Sequence, residues 1–540
     1  MTRASRIASA WLAALVLGGV SSAAQAADWF WRPASGGPYG SGDGRSHANA
    51  WHLSAGIRWQ QMAPGDTLYI CGLHNGGSAD SAIEVGRSGE PGKPLRIRGD
   101  CPGDPGSILG GPGPWRASEW RGPDANGYYS RPHNGRSGQL LAGDRLVLRN
   151  DQPMSAKTPC PAFAQVGNVA YYKPCGKPAT VFADGSSPLI KVQRRDHVQL
   201  SNLRLANANR LVEVIDSRGF RLRGGDLQFA ASAAVFIVGT APGGRLGRNH
   251  IRDAGYGIYF VNPGPGGSGS HDDWLVSDNH IPDIYGTDDA HCIGWQAGSR
   301  NVIRGNDLHD CDGSAITFYD PGRAAKQSDN LIEGNRIRNI RDRGRGGMNQ
   351  RGIEVNGHNC PRNPDNSLRN VIRNNTISDV DGDGLYLKTT RALAPDVFSW
   401  TVSGNTVRNV RNGLLWLDGV SFGEPTAADD DACSRGNRDA ARSAPGFLFE
   451  GNTVGAVREH FHAVKALGVI YQSADFSGVV MRNNVYEGRG AFIWQERRAR
   501  CRGKLEGSIN RCAMRDLADF QSSTGREQGS RQTAAAPAIP

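Results

Sequence analysis

The sequence predicts an all-β fold, namely a single-stranded right-handed parallel β-helix, which is a solenoid with loop insertions. Three observations predict this fold class. A repeated unit is marked by asparagine, short apolar runs alternate with turns, and glycine is abundant, with 72 glycines in 540 residues. Long helical periodicity is nearly absent, and Gly, Asn and Asp separate the apolar runs, as is typical of short strands joined by tight turns.

The repeated unit has a short β-run, then Gly-Asn or Asn-Asn, then a second run, a turn and a third run. Two clear copies are NVIRGNDLHDCDGSAITFYD and NVIRNNTISDVDGDGLYLKT. The marker asparagines are 27 to 32 residues apart, except for two steps of 40 and 47 residues that contain insertions, and they are Asn249, Asn279, Asn306, Asn335, Asn375, Asn405, Asn452 and Asn484. Asparagine tolerates left-handed geometry and can form hydrogen bonds along a stack of like residues, which suits a tight corner.

A unit of three short strands without a helix cannot bury its apolar side alone. Stacked coils can, because each strand pairs with its equivalent in the next coil, about 4.8 Å further along the axis. The repeats therefore predict a continuous core inside the solenoid.

The ends of the chain predict export. Residues 1–26 have the features of a secretory signal peptide, with Arg3 and Arg6 before an apolar run and small residues before the expected cleavage at Ala27. We expect residues 27–110 to form an N-terminal cap and the first coils, and residues 111–520 the β-helix with insertions. Within it, residues 111–187 read as a decorated coil with long loops, and residues 521–540 as a tail.

No later segment has the roughly 20 apolar residues of a transmembrane helix. The expected location is therefore secreted or periplasmic, and the expected state is a monomer. Ten cysteines, an even number, fit an oxidising compartment. Their order suggests local disulfides, although the sequence leaves the connectivity open: Cys71–Cys101, Cys160–Cys175, Cys292–Cys311, Cys360–Cys433 and Cys501–Cys512.

Charge and motifs narrow the class of partner. The formal net charge of +10 can attract an anionic polymer at long range, although it also serves solubility alone. Lys and Arg are scattered, which argues against nucleic acid. Neither a CxxC pair nor an HExxH motif is present, so no zinc site is expected.

The repeats resemble the pectate-lyase-like β-helix superfamily of polysaccharide-active proteins. PGDTLYICG (64–72) and residues 88–110 are similar to the opening coils of secreted bacterial members, and LADFQSSTGREQGS (517–530) is similar to a segment of their last coils. The resemblance covers residues 28–530. It implies the fold but not the reaction, because the fold hosts lyases, hydrolases, epimerases and inert fibres.

Alignment of the third run of each coil predicts which side chains share the outer face of one sheet, because side chains alternate in and out along a strand. The inward positions are all apolar. The first outward column is Tyr259, Gly294, Thr317, Glu354, Tyr386 and Leu415, and the second is Val261, Gln296, Tyr319, Asn356, Lys388 and Leu417. Polar groups cluster in four neighbouring coils, which predicts a polysaccharide groove.

The stretch YGTDDAHCIGWQ (285–296) lies at the edge of this groove. His291 aligns with Ser314, Arg351, Asp383 and Asn412 and is expected two coils from Arg351, roughly 10 Å along the axis. Asp288 and Asp289 are candidate calcium ligands or an acid/base pair, although aspartates also simply form turns. No cofactor is required by the sequence, and calcium stays open.

These columns predict the residues of the site. The candidate catalytic residues are His291, Arg351, Glu354, Lys388, Tyr386 and Tyr319, and the candidate substrate-binding residues are Gln296, Thr317, Asn356, Asp383 and Asp320. For β-elimination of an acidic, uronate-containing polysaccharide, Lys, His and Tyr can supply base and acid. A lysine near Arg351 would have a lowered pKa, which suits the base.

Three alternatives stay open behind β-elimination. A glycoside hydrolase would use two carboxyls from Glu354, Asp320, Asp383, Asp288 or Asp289. The Asp pair before His291 loosely resembles that of β-helix polygalacturonases, but the Gly-His-Gly element is missing. A uronate C5-epimerase shares the first proton abstraction of the lyase, and a non-catalytic carbohydrate-binding β-helix would need no mixed acid, base and aromatic cluster.

Overall fold

A computed structural model describes residues 26–534 apart from internal gaps. The gaps are 76–81, 112–113, 136, 143–144, 151–153, 186–187, 262–269, 286–288, 297, 320–326, 342, 344–349, 357–367, 390–397, 399, 412, 420–446, 456–468, 474–478, 489–491, 497–511 and 515. Residues 1–25 of the predicted signal peptide 1–26, the predicted Cys360–Cys433 pair, and Cys501 lie outside the described residues.

The predicted all-β right-handed parallel β-helix is confirmed. Three short strands per coil stack into long parallel sheets, and a β-run that precedes each marker asparagine builds sheet one. Its fourteen strands, in spatial order, are Trp51–His52, Asp28–Arg32, Thr67–Ile70, Leu95–Arg98, Val198–Ser201, Arg221–Arg223, Arg245–Gly247, Leu275–Ser277, Val302–Arg304, Leu331–Glu333, Asn370–Arg373, Trp400–Ser403, Phe447–Glu450 and Val479–Arg482.

The run after each asparagine builds sheet two. Its strands are Leu73–Asn75, Ser107–Leu109, the first parts of Arg204–Ile215, Asp226–Val238 and His250–Val261, then His280–Ile284, Asp307–Cys311, Arg336–Ile340, Thr376–Val380, Thr406–Val410, Thr453–Val454, Val485–Glu487 and Arg531–Thr533.

The third run builds sheet three, which carries the candidate site. Its strands are Ile83–Glu84, Ile190–Gln193, the second parts of the three long strands, Ile293–Gln296, Ile316–Tyr319, Ile353–Asn356, Asp383–Thr389, Gly413–Gly419, Val469–Ser473 and Phe492–Glu496, with Cys512–Met514 antiparallel to the last.

The core runs along the inside of the coils. Inward residues of sheet three such as Ile293, Ile316, Ile353 and Leu385 are fully buried, and they alternate with the outward polar positions. Burial of one such side chain stabilises the fold by about 1.5–3 kcal/mol. The alternation of apolar and polar residues along the strands of sheet three therefore follows from the need to fill this core.

The marker asparagines form one buried ladder. The side-chain amide of Asn249 donates to Asn279 Oδ1 at 2.9 Å, and the same bond repeats from coil to coil as far as Asn484. Asn484 then donates to Glu527 Oε2 at 2.9 Å, where the ladder ends on a buried carboxyl. A second, unpredicted ladder links Asn301, Asn330 and Asn370.

The left-handed residue at each corner is the one before the ladder asparagine, which corrects the conformational role expected of the asparagine itself. These preceding residues have φ between +55 and +63°, and they are Arg248, Asp278, Gly305, Gly334, Asn374, Gly404, Gly451 and Asn483. In the Gly-Asn and Asn-Asn pairs, the first residue therefore adopts the left-handed conformation of the turn, because Gly and Asn tolerate this geometry. The second residue forms the side-chain hydrogen bonds of the ladder.

Three of the predicted disulfides are present: Cys71–Cys101, Cys160–Cys175 and Cys292–Cys311. The sequence placed Cys292 on the outer face, and that placement is wrong. Cys292 and Cys311 are both fully buried in the main core, beside Ile281 and Ile284. This disulfide joins neighbouring coils from inside.

Residues 111–187 are more than the long loops expected from the sequence. They form two antiparallel sheets with their own core, which includes Trp115, Phe163 and Tyr172. One sheet has the strands Pro114–Trp115, Gln139–Ala142, Arg145–Leu148 and Val181–Ala183, and the other has Tyr129–Pro132, Ala162–Val166 and Val169–Lys173. Repeat patterns do not reveal them, because hairpin pairing is not periodic between coils.

The C-terminal segment packs on the last coil. The α-helix Leu517–Thr524 buries Leu517 and Phe520, and the strand Arg531–Thr533 extends sheet two, so the segment expected to be a tail from residue 521 contains ordered structure. Short 3-10 helices are Ala34–Gly36, His47–Asn49, Ser54–Gly56, Trp59–Gln61 and Ala117–Glu119. Within the described chain, no helix is both long and apolar enough to cross a membrane.

Candidate active site

The register of sheet three brings the predicted columns together. Thr317 pairs with Glu354, and Glu354 with Tyr386, on successive coils. In the second column, Gln296, Tyr319, Asn356 and Lys388 follow each other in the same register. Residues that are nearly a hundred positions apart in the chain therefore lie on one face within four coils.

The register of the next coil differs from the sequence alignment by one residue. Tyr386 pairs with Trp416 and not with Leu415, and Lys388 pairs with Asp418 and not with Leu417. Asp383 correspondingly pairs with Gly413 and not with Asn412. The apolar run GLLWLD fits either register by pattern alone, and the backbone ladder selects the register in which Trp416 follows Tyr386 and Asp418 follows Lys388.

Arg351 is the centre of the site. Its Nη1 atom donates to Glu354 Oε1 in a short contact, and its Nε atom lies 3.5 Å from Asp383 Oδ2. Its guanidinium also stacks over the Tyr386 ring at 3.5 Å from the centroid. The second oxygen of Glu354 accepts a hydrogen bond from Ser314 Oγ at 2.6 Å. One arginine thus holds two carboxyls from adjacent coils.

Both carboxyls are buried on the outer face and not displayed on an open wall as the sequence alignment suggested. Glu354 is 2% exposed and Asp383 is 4% exposed. Burial raises the pKa of Asp383 to about 7, against the opposing effect of Arg351, and the charge of Glu354 adds to the increase. Asp383 Oδ1 is shielded from solvent and has no hydrogen-bond partner among the described residues. This environment favours a protonated Asp383 up to neutral pH.

The raised pKa predicts how stability depends on pH. Between about pH 4 and 7 the folded state retains the Asp383 proton that the unfolded state has lost, so this group lowers stability as the pH rises through that window. Asp383→Asn removes the effect. We expect the stability of the variant relative to wild type to increase from pH 4.5 to pH 7.5 in chemical denaturation at both values. Parallel changes in the two proteins would contradict the raised pKa.

His291 lies two coils before Arg351, as its alignment predicts. Its ring is buried, faces Tyr256 edge-on with centroids 5.9 Å apart, and has Nε2 4.0 Å from Asp289 Oδ2. Asp289 is not part of any group of three metal-ligating side chains among the described residues. Asp288 lies outside the described residues, so the calcium hypothesis is not tested.

An aromatic surface continues the site toward earlier coils. Tyr256 and Tyr259 are stacked with centroids 4.3 Å apart, and Gln296 donates to the Tyr259 hydroxyl at 2.9 Å. A Cβ atom at Gly294 would lie 2.7 Å from the Tyr259 ring, so the glycine makes room for it. Thr317 is buried between Gly294 and Glu354, and its hydroxyl has no hydrogen-bond partner within the described part of the chain.

A second Arg–Glu pair on the same face shows which feature of the candidate site is particular to it. Arg210 donates to Glu213, also three residues later, and Glu213 shares the column of Glu354 five coils away, about 24 Å along the axis. The coil after Arg210 presents Ala233 where the coil after Arg351 presents Asp383. The second buried carboxyl is what distinguishes the candidate site.

Some predicted residues are described in part or not at all. For Tyr319, Asn356 and Lys388 the description covers the backbone only, and it places each on its predicted strand. Asp320 lies outside the described residues. Their proposed roles stay predictions.

Sequence reasoning missed the partners that position the site. Neither Ser314 nor Tyr256 is among the predicted site residues, although both align with His291 and Tyr256 precedes the run GIYF by one residue. Asp312 is fully buried and accepts a hydrogen bond from Arg343 Nε at 2.6 Å, which braces the corner beside this sheet. The alignment could have found Tyr256, but Arg343 lies outside the repeat pattern.

The fold and this outer face define a right-handed parallel β-helix with a buried carboxyl–arginine cluster. A family model described as a right handed beta helix region matches residues 268–422, which include His291, Glu354 and Asp383. A comparison with curated proteins finds no match.

Solved structures with a similar fold include several β-helix proteins. XylC in complex with xylose is 11% identical, with a TM-score of 0.47 over 85% of this chain and 83% of that chain. An alginate lyase from Paenibacillus sp. is 11% identical, with a TM-score of 0.38 over 72% of this chain and 98% of that chain. The mannuronan C-5 epimerase A-module of Azotobacter vinelandii is 10% identical, with a TM-score of 0.42 over 78% and 85%. Likeness at this level carries no information about the reaction.

Proposed function

We propose that the protein is an exported enzyme that cleaves a polysaccharide, and that Glu354 and Asp383 act as its base and acid. The observation that carries this proposal is the pair of buried carboxyls on adjacent coils that share Arg351. A glycoside hydrolase needs one carboxyl that donates a proton and one that accepts a proton or attacks the sugar.

The surroundings of Asp383 and Glu354 suggest which carboxyl acts as the acid and which as the base. Asp383 has a pKa of about 7 because of burial, so it can carry the proton that the leaving glycosidic oxygen receives. Glu354 accepts hydrogen bonds from Ser314 and Arg351 on its two oxygens, which fixes its position beside Asp383 for the role of base. A carboxyl whose pKa is raised by burial next to a second carboxyl is a pattern of acid/base sites.

The neighbouring side chains suit a sugar. The stacked Tyr256 and Tyr259 rings offer an aromatic surface, and Gln296 and the hydroxyl of Thr317 add polar groups. Arg351 contacts both carboxyls and stacks on the Tyr386 ring, so a substrate at the carboxyls also lies beside these two side chains.

The state of Arg351 favours hydrolysis over the β-elimination that the sequence placed first. A lyase needs a cation to neutralise the substrate carboxylate, and Arg351 is already engaged by two protein carboxyls. β-Elimination is kept as the second candidate because His291 packs against Tyr256, an imidazole and a phenol of the kind that abstract and donate protons. Lys388 would then have to neutralise an acidic substrate.

A panel of neutral and uronate-containing polysaccharides tests the proposal. We expect new reducing ends without absorbance from unsaturated uronates. Such absorbance would select β-elimination instead, and conversion of the uronate without chain cleavage would select the epimerase. Binding of a glycan without any reaction would overturn the enzymatic proposal in favour of a carbohydrate-binding β-helix.

A further inference from the structure

A row of histidines lies on the outer face of sheet two, away from the face of sheet three that carries the candidate site. His250 and His280 occupy the same register in neighbouring coils and stack with ring centroids 5.0 Å apart. The next coil contributes Asp307 in the same register and His309 two residues further along the strand. His309 therefore lies on the same outer face.

Two imidazoles and one carboxylate converge in this row. His280 Nε2 lies 3.0 Å from His309 Nε2 and 3.9 Å from Asp307 Oδ2. One nitrogen, one nitrogen and one oxygen atom from these three residues all lie within 4.8 Å of one another. On a tetrahedral ion with bonds of about 2.0–2.1 Å, two ligand atoms lie about 3.3–3.4 Å apart. The distances of 3.0 and 3.9 Å from His280 Nε2 lie on either side of that value.

The tautomer of His309 leaves the lone pair of its Nε2 atom directed toward His280. His309 Nδ1 lies 2.5 Å from Asp310 Oδ2, so the Nδ1–H group donates to the carboxylate and Nε2 is left as an acceptor. A carboxylate that holds the far nitrogen of a histidine is the usual outer partner of a metal-binding imidazole. Without an ion, the Nε2–H group of His280 can donate to His309.

Asp307 supplies the carboxylate of this row. Asp307 Oδ2 lies 3.1 Å from an Arg338 nitrogen, whereas Asp307 Oδ1 is shielded from solvent and has no hydrogen-bond partner among the described residues. Asp307 Oδ2, the oxygen near His280, is therefore shared with Arg338, and a bound ion would compete with Arg338 for it.

We propose that His280, His309 and Asp307 bind one divalent transition-metal ion of the zinc class. Two imidazole nitrogens and one carboxylate oxygen are a ligand set that suits zinc and its neighbours better than calcium, which prefers oxygen ligands only. The fourth position is open to water. Because the ligands come from two coils, the bound ion ties those coils together and stabilises the solenoid by mass action.

Titration of the protein, purified without a histidine tag, with Co²⁺ and then with Zn²⁺ as competitor tests this site. We expect one ion per chain, visible as a Co²⁺ absorption band that Zn²⁺ abolishes. Asp310→Asn should weaken binding about 10–100-fold, as loss of an outer partner does. His280→Ala and His309→Ala should weaken it further.

His250→Ala is the matched control, since His250 stacks on His280 but lies outside the ligand set. We expect wild-type affinity in this variant and a thermal stabilisation by Zn²⁺ equal to that of wild type. The proposal is overturned by absence of binding in wild type, by unchanged binding in His280→Ala and His309→Ala, or by an equal loss in His250→Ala.

Discussion

Glu354→Gln is expected to slow polysaccharide cleavage by about 10²–10⁴-fold, the usual contribution of a positioned acid/base group. Glutamine has nearly the shape of glutamate, so the contact with Ser314 and the buried packing can be retained while the charge beside Arg351 is lost. The measurement is kcat on the polysaccharide that wild type cleaves, with circular dichroism to establish that the variant is folded.

Glu213→Gln is the matched control for this prediction. It removes the charge from an equivalent buried Arg–Glu pair on the same sheet face, five coils away, where Ala233 replaces the second carboxyl. We expect cleavage close to wild type. An equal loss in both variants would mean that the pairs act only through structure, and full activity in Glu354→Gln would remove Glu354 from the mechanism.

Asn335→Ala is expected to give the largest loss of stability among the predictions, about 3 kcal/mol or more. Asn335 Oδ1 accepts from the backbone and side chain of Asn306, and its amide donates to Ile303 O and Asn375 Oδ1, all in the buried ladder. Alanine leaves these groups buried without partners, and each such group costs about 1–3 kcal/mol. Chemical denaturation at fixed pH measures the change.

Asn134→Ala supplies the reference, because Asn134 is exposed in a loop. Surface substitutions of this kind usually change stability by less than about 0.5 kcal/mol. A change in Asn335→Ala that is no larger than this reference would show that water replaces the lost bonds, and the ladder would not be the main stabilising element at that corner.

The repeat could be recognised in the sequence because each coil needs the same corner residues and the same inward apolar positions. The asparagine spacing located the corners, and the alternation of apolar residues located the inside and outside of sheet three. Both follow from local rules that apply to every coil. The register at Trp416 was misassigned because GLLWLD is apolar at neighbouring positions, and only hydrogen bonding to the previous strand distinguishes the two alignments.

The sequence by itself determined the fold class, the asparagine ladder, and the order of the coils that carry His291, Glu354 and Tyr386. Only the tertiary structure decided that Arg351 is held between two carboxyls, that burial raises the pKa of Asp383, and that Cys292 faces inward. It also brought together His280 and His309, 29 residues apart, which no short zinc motif connects. The physical reason is that desolvation and charge pairing depend on distances between coils, and the chain specifies those distances only after the coils have stacked.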